Sequence, residues 1–224
     1  MIPADVLGAD PSRGHTTTLE VGGRVAAPIP IALKVTHTAF VTALVPIYWR
    51  HYGPGNFLWF SDVALLLSVP ALWFRSSFIA STQLVGVMVL ETLWCVDFST
   101  GVLARKTPIG LAAYMFDGRL PRFLRSLSLF HLWLTPVLLL VVSRTGYDRR
   151  ALKYETVFTW TILLASWRLT RPQDNVNWVH SVRDDARTAR GRASVVALLM
   201  LAIPLVFQLP AHLLLKRLFH PPAR

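Results

Sequence analysis

Five stretches of this chain, roughly 56–74, 77–98, 126–143, 152–169 and 193–215, are long and apolar enough to sit in a bilayer. A hydrocarbon core of ~30 Å takes ~20 predominantly apolar helical residues, and in lipid a helix satisfies all its backbone polar groups within one segment. A sixth, weaker stretch runs 31–49, interrupted by Lys34, His37 and three threonines, with Pro46 near its end. The pattern predicts an all-α fold: an integral membrane bundle of about six transmembrane helices.

Composition agrees. Hydrophobic residues make up 53% of the 224 positions and charged residues 16%, where a soluble domain carries about 25% charged residues. The net charge of +11 is spread over the loops between apolar runs, where it meets lipid headgroups or sets topology. No basic groove is interleaved with free aromatics, so membrane lipids rather than nucleic acid are the expected partners. Cys95 is the one cysteine, so no internal disulfide is available.

The organisation expected is a flexible polar tail over 1–28, without an apolar signal segment, a six-helix domain over 29–217, and a short tail over 218–224. Gly53-Pro54-Gly55 reads as a turn and Asn56 as an N-cap. Residues 99–125 form a long loop. Its apolar run 109–116 is too short to cross and is expected to be a short interfacial helix. A second long polar loop covers 170–192. Six spans divide the 23 Lys and Arg residues eleven to twelve between the two sides. That split gives no positive-inside bias and leaves orientation open. A bacterial cytoplasmic membrane is the expected location.

Sidedness is readable in relative terms. The second helix begins where the third ends; the fourth begins and the fifth ends on that same side. Ser61, Asp62, Cys95, Asp97 and His131 then share one depth, with Asn56, Asn175 and Asn177 nearby as candidate substrate-binding groups. An ionisable side chain in the membrane is costly and normally has a partner. Asp62 or Asp97 is expected beside His131, the arrangement a general base needs, with Ser61 or Cys95 as nucleophile. Each has a bland alternative in helix–helix contacts. Glu91, six residues before Asp97, does not share its face. No His/Cys spacing matches the familiar zinc motifs, and no phosphate-binding glycine loop is present. Neither metal nor cofactor is expected.

The strings Tyr48-Trp49-Arg50-His51-Tyr52-Gly53-Pro54, Asn56-Phe57-Leu58-Trp59-Phe60-Ser61-Asp62, Leu111-Ala112-Ala113-Tyr114-Met115-Phe116-Asp117, Ser128-Leu129-Phe130-His131, Gly146-Tyr147-Asp148-Arg149-Arg150 and Asn175-Val176-Asn177-Trp178-Val179 resemble a group of uncharacterised bacterial multi-pass membrane proteins. The resemblance covers most of 30–220. More remotely, the plan is similar to the YwaF and transmembrane-protein-164 type of six-helix proteins. That likeness implies acyltransferase or lipid-hydrolase activity resting on an early cysteine and a later histidine. His131 matches the histidine; the cysteine position falls near Ser61, and Cys95 is on another helix. Three classes stay open: an accessory or scaffold membrane protein, a membrane-embedded lipid or acyl transferase or hydrolase using His131, and a small proton-coupled transporter using Asp62, Glu91, Asp97 and His131.

Overall fold

A computed structural model describes residues 20–21, 24–25, 28–180 and 189–219. Most of the expected N-terminal tail, all but two residues of the expected C-terminal tail, and Asp184-Asp185 of the second long loop lie outside the described residues. Glu20–Val21 (β1) and Arg24–Val25 (β2) pair as a two-residue antiparallel ladder. Among the described residues, everything else with regular structure is helical.

Six helices follow in order: α1 Ile31–Tyr52, α2 Phe60–Phe74, α3 Ser77–Ala104, α4 Arg122–Thr145, α5 Ala151–Leu169 and α6, which begins at Ala189 and carries the apolar segment Ala193–Leu218. Four of these, α1, α3, α4 and the Ala193–Leu218 segment of α6, are long and apolar enough to cross a bilayer. The molecule is a helical membrane bundle. α2 is apolar but has only 15 residues. α5 sets Lys153, Glu155 and Arg168 among its 19 residues.

Local chemistry explains the boundaries. Gly53 ends α1 with φ 78°, a left-handed conformation that glycine adopts without a Cβ penalty. Pro54–Leu58 makes a single 3-10 turn into α2. Ser76 caps α3, its hydroxyl accepting from the Ile79 N–H at 3.2 Å. α4 passes through a 3-10 turn at Ser128–Phe130. α6 contains a π-helical turn, Ile203–Gln208, where Pro204 withholds a backbone donor. That turn aims Gln208 inward.

α3 is the central element, packed against α2, α4, α5 and α6. Leu65, Leu72, Leu84, Phe130, Leu134 and Leu138 form the main buried cluster. Phe74, Leu103, Leu201 and Leu205 face outward instead, as lipid-facing side chains do. Lys34 lies over Trp73 and Arg168 over Trp167, the cation–aromatic pairing of membrane interfaces.

The expected helix over 109–116 is a four-residue 3-10 turn, Ala113–Phe116. Two backbone N–H groups of the preceding residues are taken by the Asp97 carboxylate, and Gly110 sits at φ 86°. The run is thereby held as an irregular loop against α3, with Phe116 pressed on Gly101 and stacked against Phe98.

Candidate functional site

A cavity of about 830 Å³ lies where α1 ends and α2 and α4 begin. Its wall also takes the middle of α3, from Val87 to Trp94, and parts of the loops around 109–120 and 171–178. These are the elements that the span order places on one side.

Asp62 is in the first turn of α2, where a helix N-terminus favours a carboxylate. It is 5% exposed. Its Oδ2 accepts from Asn56 Nδ2 at 3.3 Å. Among the described residues its Oδ1 has no hydrogen-bond donor. Ser61 lines the same cavity.

His131 meets Glu91, with Nδ1 and Oε2 2.7 Å apart. Both line the cavity, and Glu91 is only 3% exposed. The imidazole is stacked between Trp94, with centroids 4.4 Å apart, and Phe130, at 4.3 Å. An ionised Glu91 requires the proton on Nδ1. The neutral ring then presents Nε2 as its base, with orientation held by the two flanking rings.

This pairing corrects the expectation that Asp62 or Asp97 partners His131. The reason is helix face. Glu91 and Trp94, three residues apart on α3, share the face that meets His131, whereas both Asp97 oxygens are taken by backbone N–H groups of the loop. α3 also continues to Ala104 rather than stopping near Phe98, and α4 starts at Arg122 rather than near Ser126. Asp97 serves another purpose. Fully buried, it accepts from the Ile109 N–H and the Ala112 N–H, each at 2.8 Å. It fastens the loop to α3 and is not part of the cavity wall. Asp62, Asp97 and His131 are thus not brought together, and among the described residues no group of three His, Cys, Asp or Glu side chains is placed to hold a metal.

Cys95 also lies outside the wall. Its thiol reaches the His131 carbonyl at 3.7 Å, within the cluster of Trp94, Ala112 and Met115. The asparagines divide. Asn56 lines the cavity and holds Asp62. Asn177 also lines it but is fully buried and engaged: Oδ1 accepts from the Phe60 N–H at 3.3 Å, and Nδ2 donates to the Leu58 carbonyl at 2.7 Å and to Ser166 Oγ at 3.1 Å. It clamps the second loop to α2 and α5. Asn175 accepts from the His180 N–H at 3.0 Å and lies outside the wall. Both asparagines have left-handed backbone, φ 39° and 52°, which asparagine tolerates better than most residues. Their sequence signal is turn geometry.

Sequence reasoning missed a trio of hydroxyls. Tyr48 and Ser128 hydrogen-bond at 2.9 Å, and Tyr114 lies beside Ser128. All three line the cavity. Burial pushes the Tyr114 hydroxyl well above its usual range, and the Asp62 and Glu91 charges push the same way. It remains a neutral donor. Tyrosines flanking apolar runs read as interface anchors, so nothing in the sequence separated these from the girdle.

A second polar cluster lies in the other half of the bundle. Glu155, 3% exposed, is approached by Gln83 Nε2 at 3.5 Å and by Thr159 Oγ1 at 3.3 Å. Gln208 donates to Thr159 at 2.6 Å.

The chain has no significant match among family models, curated proteins or solved structures. The fold and the cavity define its class: a helical membrane protein with a histidine–carboxylate pair in the wall of a cavity lined by aromatic and polar side chains.

Proposed function

We propose that this protein is a membrane-embedded enzyme that cleaves or transfers an acyl ester of a lipid, in a bacterial cell membrane that its six helices all cross. The observation that carries this reading is the Glu91–His131 pair in the cavity wall. A histidine oriented by a carboxylate is a general base, and its free Nε2 is the atom that would take the proton. The nucleophile is the Ser61 hydroxyl or a water. His131 Nε2 takes the proton as the oxygen attacks the ester carbonyl. The tetrahedral intermediate collapses with cleavage of the ester C–O bond, and the imidazolium returns the proton to the leaving alkoxide. The hydroxyls of Tyr48, Tyr114 and Ser128 suit stabilisation of the oxyanion.

The test is turnover of defined phospholipids by the purified protein in nanodiscs, with His131→Gln and Glu91→Gln alongside. Lipid cleavage that both variants lose supports the reading. Absence of turnover over a broad lipid panel overturns it. The Glu155 cluster favours a second reading, a proton-coupled carrier using both polar clusters. Proton flux in proteoliposomes that Glu155→Gln abolishes would support that reading instead.

A further inference from the structure

The cavity's charge balance is informative about its ligand. Four residues with formal charge line it besides the two histidines: Asp62, Glu91, Arg171 and Asp174. Arg171 is already matched by Asp174, with Nε to Oδ2 at 3.0 Å. Glu91 is matched by His131. The second histidine, His51, has its Nδ1 on the Ile47 carbonyl of its own helix. Asp62 is left with one neutral donor, Asn56, on Oδ2 and none on Oδ1, although it is 95% buried. No ion pair of the described residues includes it. A buried carboxylate oxygen that no described residue donates to, on a side chain of the cavity wall, is an incomplete site.

The rest of the wall narrows the missing partner. Tyr48, Tyr52, Trp59, Trp94, Tyr114 and Trp178 contribute to it. Aromatic rings around a carboxylate favour an organic cation. For a phosphate or a free carboxylate the wall offers neutral donors but no unmatched arginine or lysine, since Arg171 is taken by Asp174. The bare Oδ1 needs an N–H or O–H donor, which a quaternary ammonium lacks.

We propose that the cavity binds a primary ammonium group, with Asp62 as its counter-ion and Asn56 holding the carboxylate in place. As a statement about substrate this rests on the enzyme reading above; as a statement about binding it stands without it. The same chemistry is carried by an ethanolamine headgroup of a lipid and by a free aliphatic amine, and the test separates them.

The purified protein is placed in phosphatidylcholine nanodiscs and titrated with ethanolamine and with choline. Tryptophan fluorescence reports, since Trp59, Trp94 and Trp178 are in the wall. A parallel series replaces a few per cent of the lipid with phosphatidylethanolamine. The expected result is a saturable response to ethanolamine, to phosphatidylethanolamine, or to both, with choline at least tenfold weaker. A response to the lipid alone identifies a headgroup site; a response to ethanolamine in its absence identifies a site open to free amines. Asp62→Asn weakens the response at least tenfold, while Asp117→Asn, at an exposed ion pair elsewhere, leaves it unchanged. Equal responses to ethanolamine and choline, no response in either series, or undiminished binding by Asp62→Asn overturns the proposal. The choline comparison uses the wild-type protein and does not depend on a variant folding. Ammonium binding without turnover of any lipid would remove the enzyme reading and leave this site standing. Lipid turnover indifferent to the headgroup, with no ammonium response, would do the reverse.

Discussion

Glu91 on α3 and His131 on α4 face each other at 2.7 Å, and the histidine ring is held between Trp94 and Phe130. A pair this buried and this constrained in orientation is costly to maintain in a membrane protein unless both partners are present. Glu91→Gln keeps the shape but removes the charge that holds the proton on Nδ1. Turnover is expected to fall about 10²-fold or more. Its pH dependence is expected to shift as well, an effect that loss of a purely structural contact would not produce. The measurement is a pH–rate profile on wild type and variant.

Asp97 predicts a different phenotype. It accepts two backbone N–H bonds from the loop, and removing it leaves both donors without an acceptor. Asp97→Ala is expected to cost about 2–5 kcal/mol and to lower the melting temperature in detergent. Asp97→Asn, which keeps one acceptor oxygen, should cost less. Melting curves for the two variants check the order.

Gly86 has the Glu155 carboxylate so close that an added Cβ would overlap it. Gly86→Ala therefore pushes Glu155 off Gln83 and Thr159 and lowers stability. The clash disappears if Glu155 is also replaced by alanine. The double variant should be more stable than the sum of the two single effects predicts, measured as a double-mutant cycle of melting temperatures.

Arg50 and Thr107 lie on the cavity side of the bundle, and Asp148 lies at the opposite ends of α4 and α5. Single cysteines at Arg50 and Thr107, in a Cys95→Ala background, are expected to label from the same face of the membrane, and one at Asp148 from the other. Labelling of Arg50 and Thr107 from opposite faces would contradict the six-span arrangement.

Asp117 and Arg119 pair across the surface of the first long loop. The side-chain hydrogen bond from Arg119 holds the Asp117 carboxyl down to about 2. A lowered carboxyl pKa contributes stability above its unfolded value and loses it as pH falls through the folded value. The contribution is expected to fade only between about pH 4 and about pH 2. Asp117→Asn should flatten the acid dependence of melting in that window and lower the melting temperature slightly at neutral pH, where the contribution is present.

The bundle was legible in the sequence because apolar length is a strong signal in lipid: all six helices stand where apolar runs predict them. The site was legible only in part. Ser61, Asp62, His131 and Asn56 do share one cavity, since span order alone fixes which helix ends lie together. The partner of His131 was not legible. Apolar length places helix ends but not helix faces: Glu91 and Trp94 share the face that meets His131, and α3 and α4 run on through 99–104 and 122–125, past the ends the apolar runs suggest. The role of Asp97 escaped for a related reason, because its partners are backbone groups of a loop that no side-chain pattern encodes. Asn175 and Asn177 carried a polar signal that belongs to left-handed turns. Tyr48, Tyr114 and Ser128 carried none that set them apart from interface anchors.

The central claim is that His131 is a base acting on lipid in this cavity. Its most direct test is turnover of phospholipid by purified protein in nanodiscs, wild type against His131→Ala, with melting measured on the same samples. Wild type is expected to cleave lipid or transfer its acyl group, with a loss of at least 10²-fold in the variant and a nearly unchanged melting temperature. Equal turnover by both proteins, or no turnover by wild type together with a lowered melting temperature in the variant, would contradict it.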